Sequence, residues 1–373
     1  MSATHQPTYG TDRAPLSRGQ TLARQALIAA MLAAVVGTFV YLGGWLTPHD
    51  LTPGKFADAF QAVDGVHPGF RRNHAKGVCV SGYFESNGNG VVLSKAAVFQ
   101  PTKSQVVGRF SLSGGMPFQA DKPGQIRGLG LQLTTMDGQV WRTAMVNLPV
   151  FPVNTPQAFY DRLLASVPDP ATGKPDPAKM KAFLASHPET TAAIEIIKRH
   201  PPSPGFGDSE FHSLNAFVFT NAQGASTPVR WVLAPVQSAP AIEPTTQPAR
   251  ADDANYLFEG LIARVHRQPL QWHLMLIVGQ AGDPTNDATL PWPDSRQQID
   301  AGILTVDQVQ SEDSSPTALL NFDPLVLPDG IAPSDDPLLS ARSAAYSASF
   351  TRRSGEHKPP SAITPADADQ SKS

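Results

Sequence analysis

Arg71-Arg72-Asn73-His74-Ala75-Lys76-Gly77, with Ser81-Gly82-Tyr83-Phe84-Glu85 just beyond it, places a histidine among basic residues immediately ahead of a strand-like run. A histidine in such a setting is more often a surface or hydrogen-bonded structural residue than a reactive one. The case for chemistry at His74 therefore comes from what surrounds it in the chain.

Outward from Gly77 the pattern is one of short strands separated by turn residues, over 78–86, 106–113, 126–135 and 139–147, with Asp137-Gly138 turning the last pair into a hairpin. Between 155 and 200 the period changes, and Phe159, Leu163, Leu164, then Met180, Phe183, Leu184, then Ala192 to His200 fit amphipathic helices divided by proline-bearing breaks. Strands resume over 213–221 and 227–234 across the tight turn Asn221-Ala222-Gln223-Gly224. A polar segment over 236–250 reads as a surface loop. Residues 253–267 carry Tyr256, Leu257, Leu261, Ile262 and Val265 in helical register, and strands follow over 271–279 and 301–309. Eight strands in two groups of four, interrupted by helices, predict an α+β fold built on one closed eight-stranded antiparallel barrel rather than a sandwich.

Ahead of the histidine, Phe56, Phe60 and Val63 are spaced as a short helix over 55–64. Further back, Leu27 to Leu46 run for 20 residues without a charge, enough at 1.5 Å per residue to cross the roughly 30 Å core of a bilayer. Arg13, Arg18 and Arg24 precede this run against the single acid Asp12, so the positive-inside rule puts residues 1–26 in the cytoplasm and the rest beyond the membrane. The run exceeds the roughly 7–15 residues of a signal-peptide core and no small-x-small site closes it, so it reads as an uncleaved single-pass anchor with Tyr41 and Trp45 at the outer interface. The implied address is a bacterial-type inner membrane with the globular domain in the periplasm. At the other end, residues 354–373 are rich in Ser, Pro, Asp and Lys and are expected to be disordered.

Composition narrows the function classes. The 373 residues are 41% apolar, enough to fill a large core, and 29 basic against 32 acidic side chains leave no basic surplus for nucleic acid. The 36 prolines predict long loops between regular elements. Cys79 is the one cysteine, which excludes an intramolecular disulfide framework and a cysteine-ligated zinc site.

A second chemical signal lies near the C-terminus, in Pro333-Ser334-Asp335-Asp336-Pro337-Leu338-Leu339-Ser340-Ala341-Arg342-Ser343-Ala344-Ala345-Tyr346. Leu338 to Tyr346 favour a helix, and Arg342 and Tyr346, four apart, share one face of it. An arginine beside a phenol favours the phenolate, and a ferric ion favours it further. Such a pair suits a tyrosinate ligand to haem iron, and on its own it suits a tyrosine packed against an arginine stem equally well.

Taken in order, these stretches resemble the catalase family. Arg71, His74, Ala75, Lys76 and Gly77 with Gly82-Tyr83-Phe84-Glu85 resemble its histidine motif, Arg109-Phe110-Ser111 the Arg-Phe-Ser that follows, and Asn147-Leu148-Pro149-Val150-Phe151 its Asn-x-Pro-Val-Phe. Asn321-Phe322-Asp323-Pro324, Pro328, Gly330-Ile331 and Pro333-Ser334 match the approach to its proximal signature, and Arg342-x-x-x-Tyr346 with Arg353 the signature itself. The resemblance covers residues 50–353 and implies a haem b (iron protoporphyrin IX) cofactor. It implies that His74 moves a proton between peroxide oxygens, that Ser111 accepts a hydrogen bond from its ring and that Asn147 holds the peroxide. It gives Tyr346 as the axial haem iron ligand supported by Arg342, with Arg71, Arg109 and Arg353 on the haem propionates. Two departures stand out: Pro152 where the family carries the second phenylalanine of a pair, and Cys79 in place of a smaller residue, read here as a small core side chain.

The family's longer members carry an N-terminal arm and C-terminal extensions, and this chain is more similar to the small catalase-related peroxidases. That resemblance implies reduction of hydrogen peroxide or an organic hydroperoxide at the expense of a small organic donor, with weak catalase activity, and is compatible with a homodimer. Two alternatives share these residues: an allene oxide synthase-like enzyme that rearranges fatty acid hydroperoxides, and a membrane-tethered haem-binding or sensing module.

Overall fold

The computed structural model describes residues 17–42, 51–237 and 254–369, and the chain divides into two compact units, residues 1–52 and 53–373. The first unit is a helix, α1 (Arg18–Leu42), exposed along almost all its described length. It is long and apolar enough to cross a bilayer from Arg18 to Tyr41. The apolar run read over 27–46 is thus helical as far as Leu42. Its last four residues, Trp45 among them, lie outside the described residues, as do residues 1–16 and nearly all of the loop read over 236–250.

Among the described residues the second unit contains ten strands: β1 (Gly77–Ser86), β2 (Lys103–Leu112), β3 (Arg127–Thr134), β4 (Val140–Val146), β5 (Phe211–His212), β6 (Phe217–Thr220), β7 (Ser226–Pro235), β8 (Leu270–Val278), β9 (Gln298–Gln310) and β10 (Ile331–Pro333). Its helices are α2 (Pro53–Asp64), α3 (Pro156–Ala165), α4 (Pro177–Ser186), α5 (Pro188–Lys198), α6 (Tyr256–Arg267), α7 (Pro337–Ser354) and α8 (Pro365–Asp369). All pairings are antiparallel, and the order β7-β5-β4-β3-β2-β1-β9-β8 closes on itself through β7 and β8 into an eight-stranded barrel. Closure leaves no free edge in that ring.

Alternation decides which side chains fill the barrel. Leu129, Leu131 and Leu133 of β3, and Leu270, Trp272, Leu274 and Leu276 of β8, are buried while the residues between them are half-exposed. Trp141 meets Trp231 edge-on with centroids 5.1 Å apart, and Phe110 touches Phe206, Phe211 and Trp272. Burying these large rings is the main stabilising contribution.

Three expectations change here. The strand read over 213–221 gives β6, which pairs with β7 and β10 but is not a member of the closed ring. The ring's eighth member is β5, two residues earlier, because Leu214 at φ 63° breaks the run between them. Two residues are too few for alternation to register, so the sequence pattern missed β5. Second, the tail is not disordered through Asp369: Ile363 and Ala368 are each 1% exposed, and Ser311 Oγ donates to the Ile363 carbonyl at 2.6 Å. Average polarity hides two apolar side chains that reach the core. Third, the prolines do more than mark loops, since α2, α3, α4, α5, α7 and α8 each begin on one. Proline fits the first helical turn because its missing N–H would have had no partner there.

Candidate active site

His74 sits in the segment entering β1, held by its backbone. Asn73 Oδ1 accepts from His74 N–H at 2.9 Å and from Gly114 N–H at 2.9 Å, Ala75 N–H donates to Gly114 O at 2.9 Å, and Arg109 Nη1 donates to His74 O at 2.8 Å. These bonds stabilise a left-handed backbone at His74 (φ 57°), a conformation that costs a non-glycine residue about 1 kcal/mol or more. Ser111, paired with Gly77 across β1 and β2, brings its Oγ to 3.1 Å from His74 Nδ1, leaving Nε2 for the cavity. Gly128, opposite Ser111 on β3, makes room: a Cβ there would lie 2.9 Å from the ring and from Ser111 Oγ.

Burial, then the charges of Arg109, Arg342 and Arg71, push the His74 imidazole down to about 3. It is neutral at physiological pH and able to accept a proton.

The opposite contribution comes from α7. Asp336 caps it, accepting from Leu338 N–H at 2.9 Å, and the helix runs on to Ser354, well past the predicted Tyr346. Arg342, Tyr346, Ser349, Phe350 and Arg353 recur at helical spacing and all line the same cavity as His74, Ser111, Arg71 and Arg109. Arg342 Nη1 donates to Asn215 Oδ1 and Nη2 to Ala144 O at 2.8 Å. Asn215 Nδ2 in turn donates to Asp336 Oδ2 at 2.7 Å, so the cap of α7 also anchors its arginine.

At one edge of the cavity three guanidiniums gather. Arg71 and Arg353 both donate to Ala318 O and Leu320 O, at 3.0 and 3.1 Å in each case. Arg109 and Arg71 both reach Glu312. Burial chiefly, then Arg109, pulls Arg71 down to about 9 and Arg353 to about 10. Such a site favours added anionic charge, which is what two propionates supply. Gly130 leaves space on the same wall, where a Cβ would come within 2.8 Å of the Phe322 ring. Donor type, arginine cluster and glycine-lined wall together fit a haem.

Seven of the eight predicted site residues therefore meet in one cavity: His74, Ser111, Arg71, Arg109, Arg342, Arg353 and Tyr346. Asn147 does not line it. It borders a second cavity with Pro149, His200, His212 and Trp292, and its Oδ1 accepts from Arg127 N–H at 2.7 Å. Cys79, in β1, is 1% exposed, and burial first and then Glu312 push its thiol up to about 11, as suits a core side chain. Sequence reasoning missed Glu312 and Asn215, which reach their partners across 203 and 127 positions of chain. It also missed the rings of Phe56, Phe60, Phe151 and Phe159, from α2, α3 and the segment before α3, which complete the cavity wall.

The catalase family pattern matches residues 55–359. The chain is 36% identical to the catalase-related peroxidase of Synechococcus elongatus, covering 90% of this chain and 96% of that protein. It is 30% identical to the catalase-related peroxidase of Mycolicibacterium paratuberculosis, covering 82% and 96%. Among solved structures, a bacterial catalase superposes with a TM-score of 0.66 at 21% identity, over 76% of this chain and 57% of that one. A fungal catalase superposes with 0.67 at 18% identity, over 99% and 69%.

Proposed function

The chain belongs to the catalase family, and from that premise we propose that it is a haem b peroxidase that reduces hydrogen peroxide or an organic hydroperoxide with electrons from a small organic donor and releases little oxygen. The observation that carries this reading is the meeting of His74–Ser111, Tyr346–Arg342 and the arginines Arg71, Arg109 and Arg353 in one cavity. Both relatives named catalase-related peroxidase match over 96% of their length, whereas the Pseudomonas syringae catalase matches over 55% of its own, which favours the peroxidase side.

Tyr346 is the residue to hold the iron, with Arg342 on the preceding helical turn as its cationic support. Arg71, Arg109 and Arg353 hold the propionates. When bound, the haem supplies the redox centre at which the peroxide bond is split and to which the donor returns electrons. His74, neutral and with Nε2 open to the cavity, takes a proton from one peroxide oxygen and returns it to the other. Ser111 fixes the ring for that transfer. Asn147, expected to hold the peroxide, borders the second cavity with its Oδ1 bonded to Arg127 N–H, and it carries no role on the peroxide in this reading.

The apolar helix α1 supports an anchored address, with Arg18 and Arg24 near its start on the cytoplasmic side and the catalytic domain in the periplasm. The assembly proposed is a homodimer.

Absorption spectra of the purified protein, followed by steady-state oxygen release against oxidation of phenolic donors and lipid hydroperoxides, test the reading. A Soret band with donor oxidation far exceeding oxygen release is expected. Fast oxygen release with no donor turned over defeats the peroxidase assignment, and rearranged hydroperoxide without donor consumption favours the allene oxide synthase alternative.

A further inference from the structure

Among the described residues around the arginine edge of the cavity, Glu312 is the carboxylate that the arginines share. It lies one residue past the end of β9, after Ser311, and its side chain is 3% exposed. Oε1 accepts from Arg71 Nη1 at 2.6 Å and from Arg109 Nε at 2.8 Å, and Oε2 accepts from Arg109 Nη2 at 3.0 Å. One carboxylate thus grips Arg109 with both oxygens and Arg71 with one. Burial pushes the Glu312 carboxyl up, but the adjacent Arg109 and Arg71 outweigh it and hold the group below the usual carboxylate range. It is an anion in the folded protein.

The other arginine contacts are to carbonyl oxygens. Arg71 and Arg353 share Ala318 O and Leu320 O, and Arg109 takes His74 O and Ala75 O. Carbonyls orient guanidiniums without cancelling their charge. Three cations against one anion leave a surplus of two, which equals the charge of a porphyrin carrying two ionised propionates.

We propose that Glu312 is a positioning residue of the cofactor site: it holds Arg71 and Arg109 side by side and sets the surplus charge at this edge at two, matching two ionised propionates. This rests on the reading that the cavity binds haem. Without Glu312 the empty cavity would hold three guanidiniums, Arg109 buried and Arg71 and Arg353 half-buried, with no carboxylate between them, a state that burial makes costly. Haem would then supply the only anions, so loss of Glu312 weakens the apoprotein more than the haem-loaded protein.

The test compares the full-length wild type with Glu312→Gln, each as apoprotein and after loading with haem, and titrates both apoproteins with haem and with haem dimethyl ester, whose carboxyls carry no charge. Thermal midpoints and Soret titrations are the readouts. In Glu312→Gln the apoprotein midpoint falls further than the loaded midpoint, and the ratio of ester Kd to acid Kd rises about tenfold as the surplus goes from two to three. Equal falls in both midpoints with an unchanged ratio would mean a merely structural carboxylate and overturn the proposal. If Glu312→Gln yields no folded apoprotein, Glu312→Gln/Arg71→Gln takes its place. Deleting one anion with one cation keeps the surplus at two, so this double variant folds, and because it also loses Arg71 as a propionate partner its ratio stays at or below that of the wild type; a ratio above wild type, or failure to fold, also overturns the proposal. Absence of a Soret band in the wild type would instead strike the haem reading itself.

Discussion

Ser111 Oγ lies 3.1 Å from His74 Nδ1, so the protein occupies one ring nitrogen and leaves the other to the substrate. The bond holds the ring's orientation, and that matters for a group that must accept and return a proton at one atom. Ser111→Ala removes it while keeping the space. Peroxide consumption by the haem-loaded variant is expected to fall about three- to tenfold, the rate equivalent of one ordinary hydrogen bond. An unchanged rate constant would show that the hydroxyl does not orient the ring.

His74 also marks the pH behaviour of the fold. Its ordinary value is 6.5, and burial with Arg109, Arg342 and Arg71 lowers it to about 3 in the folded state. Between these values the unfolded chain binds a proton that the folded chain does not, so the folded state loses stability as pH falls from 6.5 toward 3. His74→Gln should flatten the plot of unfolding free energy against pH in that window by one proton's slope. If wild type and variant run parallel there, the imidazole is not held neutral.

Gly128 is where the strand and the histidine compete for one volume. Its backbone is ordinary β structure, so alanine meets no backbone strain, but the new Cβ would stand 2.9 Å from the His74 ring and Ser111 Oγ. Gly128→Ala is expected to cost about 1–3 kcal/mol in stability as an overpacking change. It should also slow peroxide consumption at least tenfold while the Soret band persists. A variant as fast as wild type would mean that the ring can move without loss, and hence that its position is not what the fold protects.

What was readable in the sequence divides along a physical line. His74, Ser111 and Tyr346 were legible because each sits in a short contiguous motif that carries the family resemblance, Arg71 to Gly77, Arg109-Phe110-Ser111 and Arg342-x-x-x-Tyr346. Glu312 was not, since Ser311-Glu312-Asp313 reads as any polar strand end, and only closure of the barrel brings it to Arg71 and Arg109. Asn215 was hidden for the same reason, and more so because Leu214 interrupts the periodic pattern beside it. The barrel itself was legible in number of strands but not in membership, because β5 has only two residues, too few for alternation to register.

The tail supplies a test that composition alone would not suggest. Ile363 is 1% exposed within the main core, its carbonyl takes the Ser311 hydroxyl at 2.6 Å, and Lys358 pairs with Asp313 at 2.5 Å, so residues on either side of Glu312 are tied to the tail. Truncating a buried branched side chain leaves a cavity that its neighbours fill only in part. Ile363→Ala is therefore expected to destabilise the protein by about 2–4 kcal/mol, read as a lower urea midpoint at unchanged slope. Ala366→Ser, at an exposed position on the adjoining helix α8, should stay within about 0.5 kcal/mol of wild type. Were the two variants to unfold together at the wild-type midpoint, the tail would contribute nothing to the core, and the support it gives to the Glu312 turn would go with it.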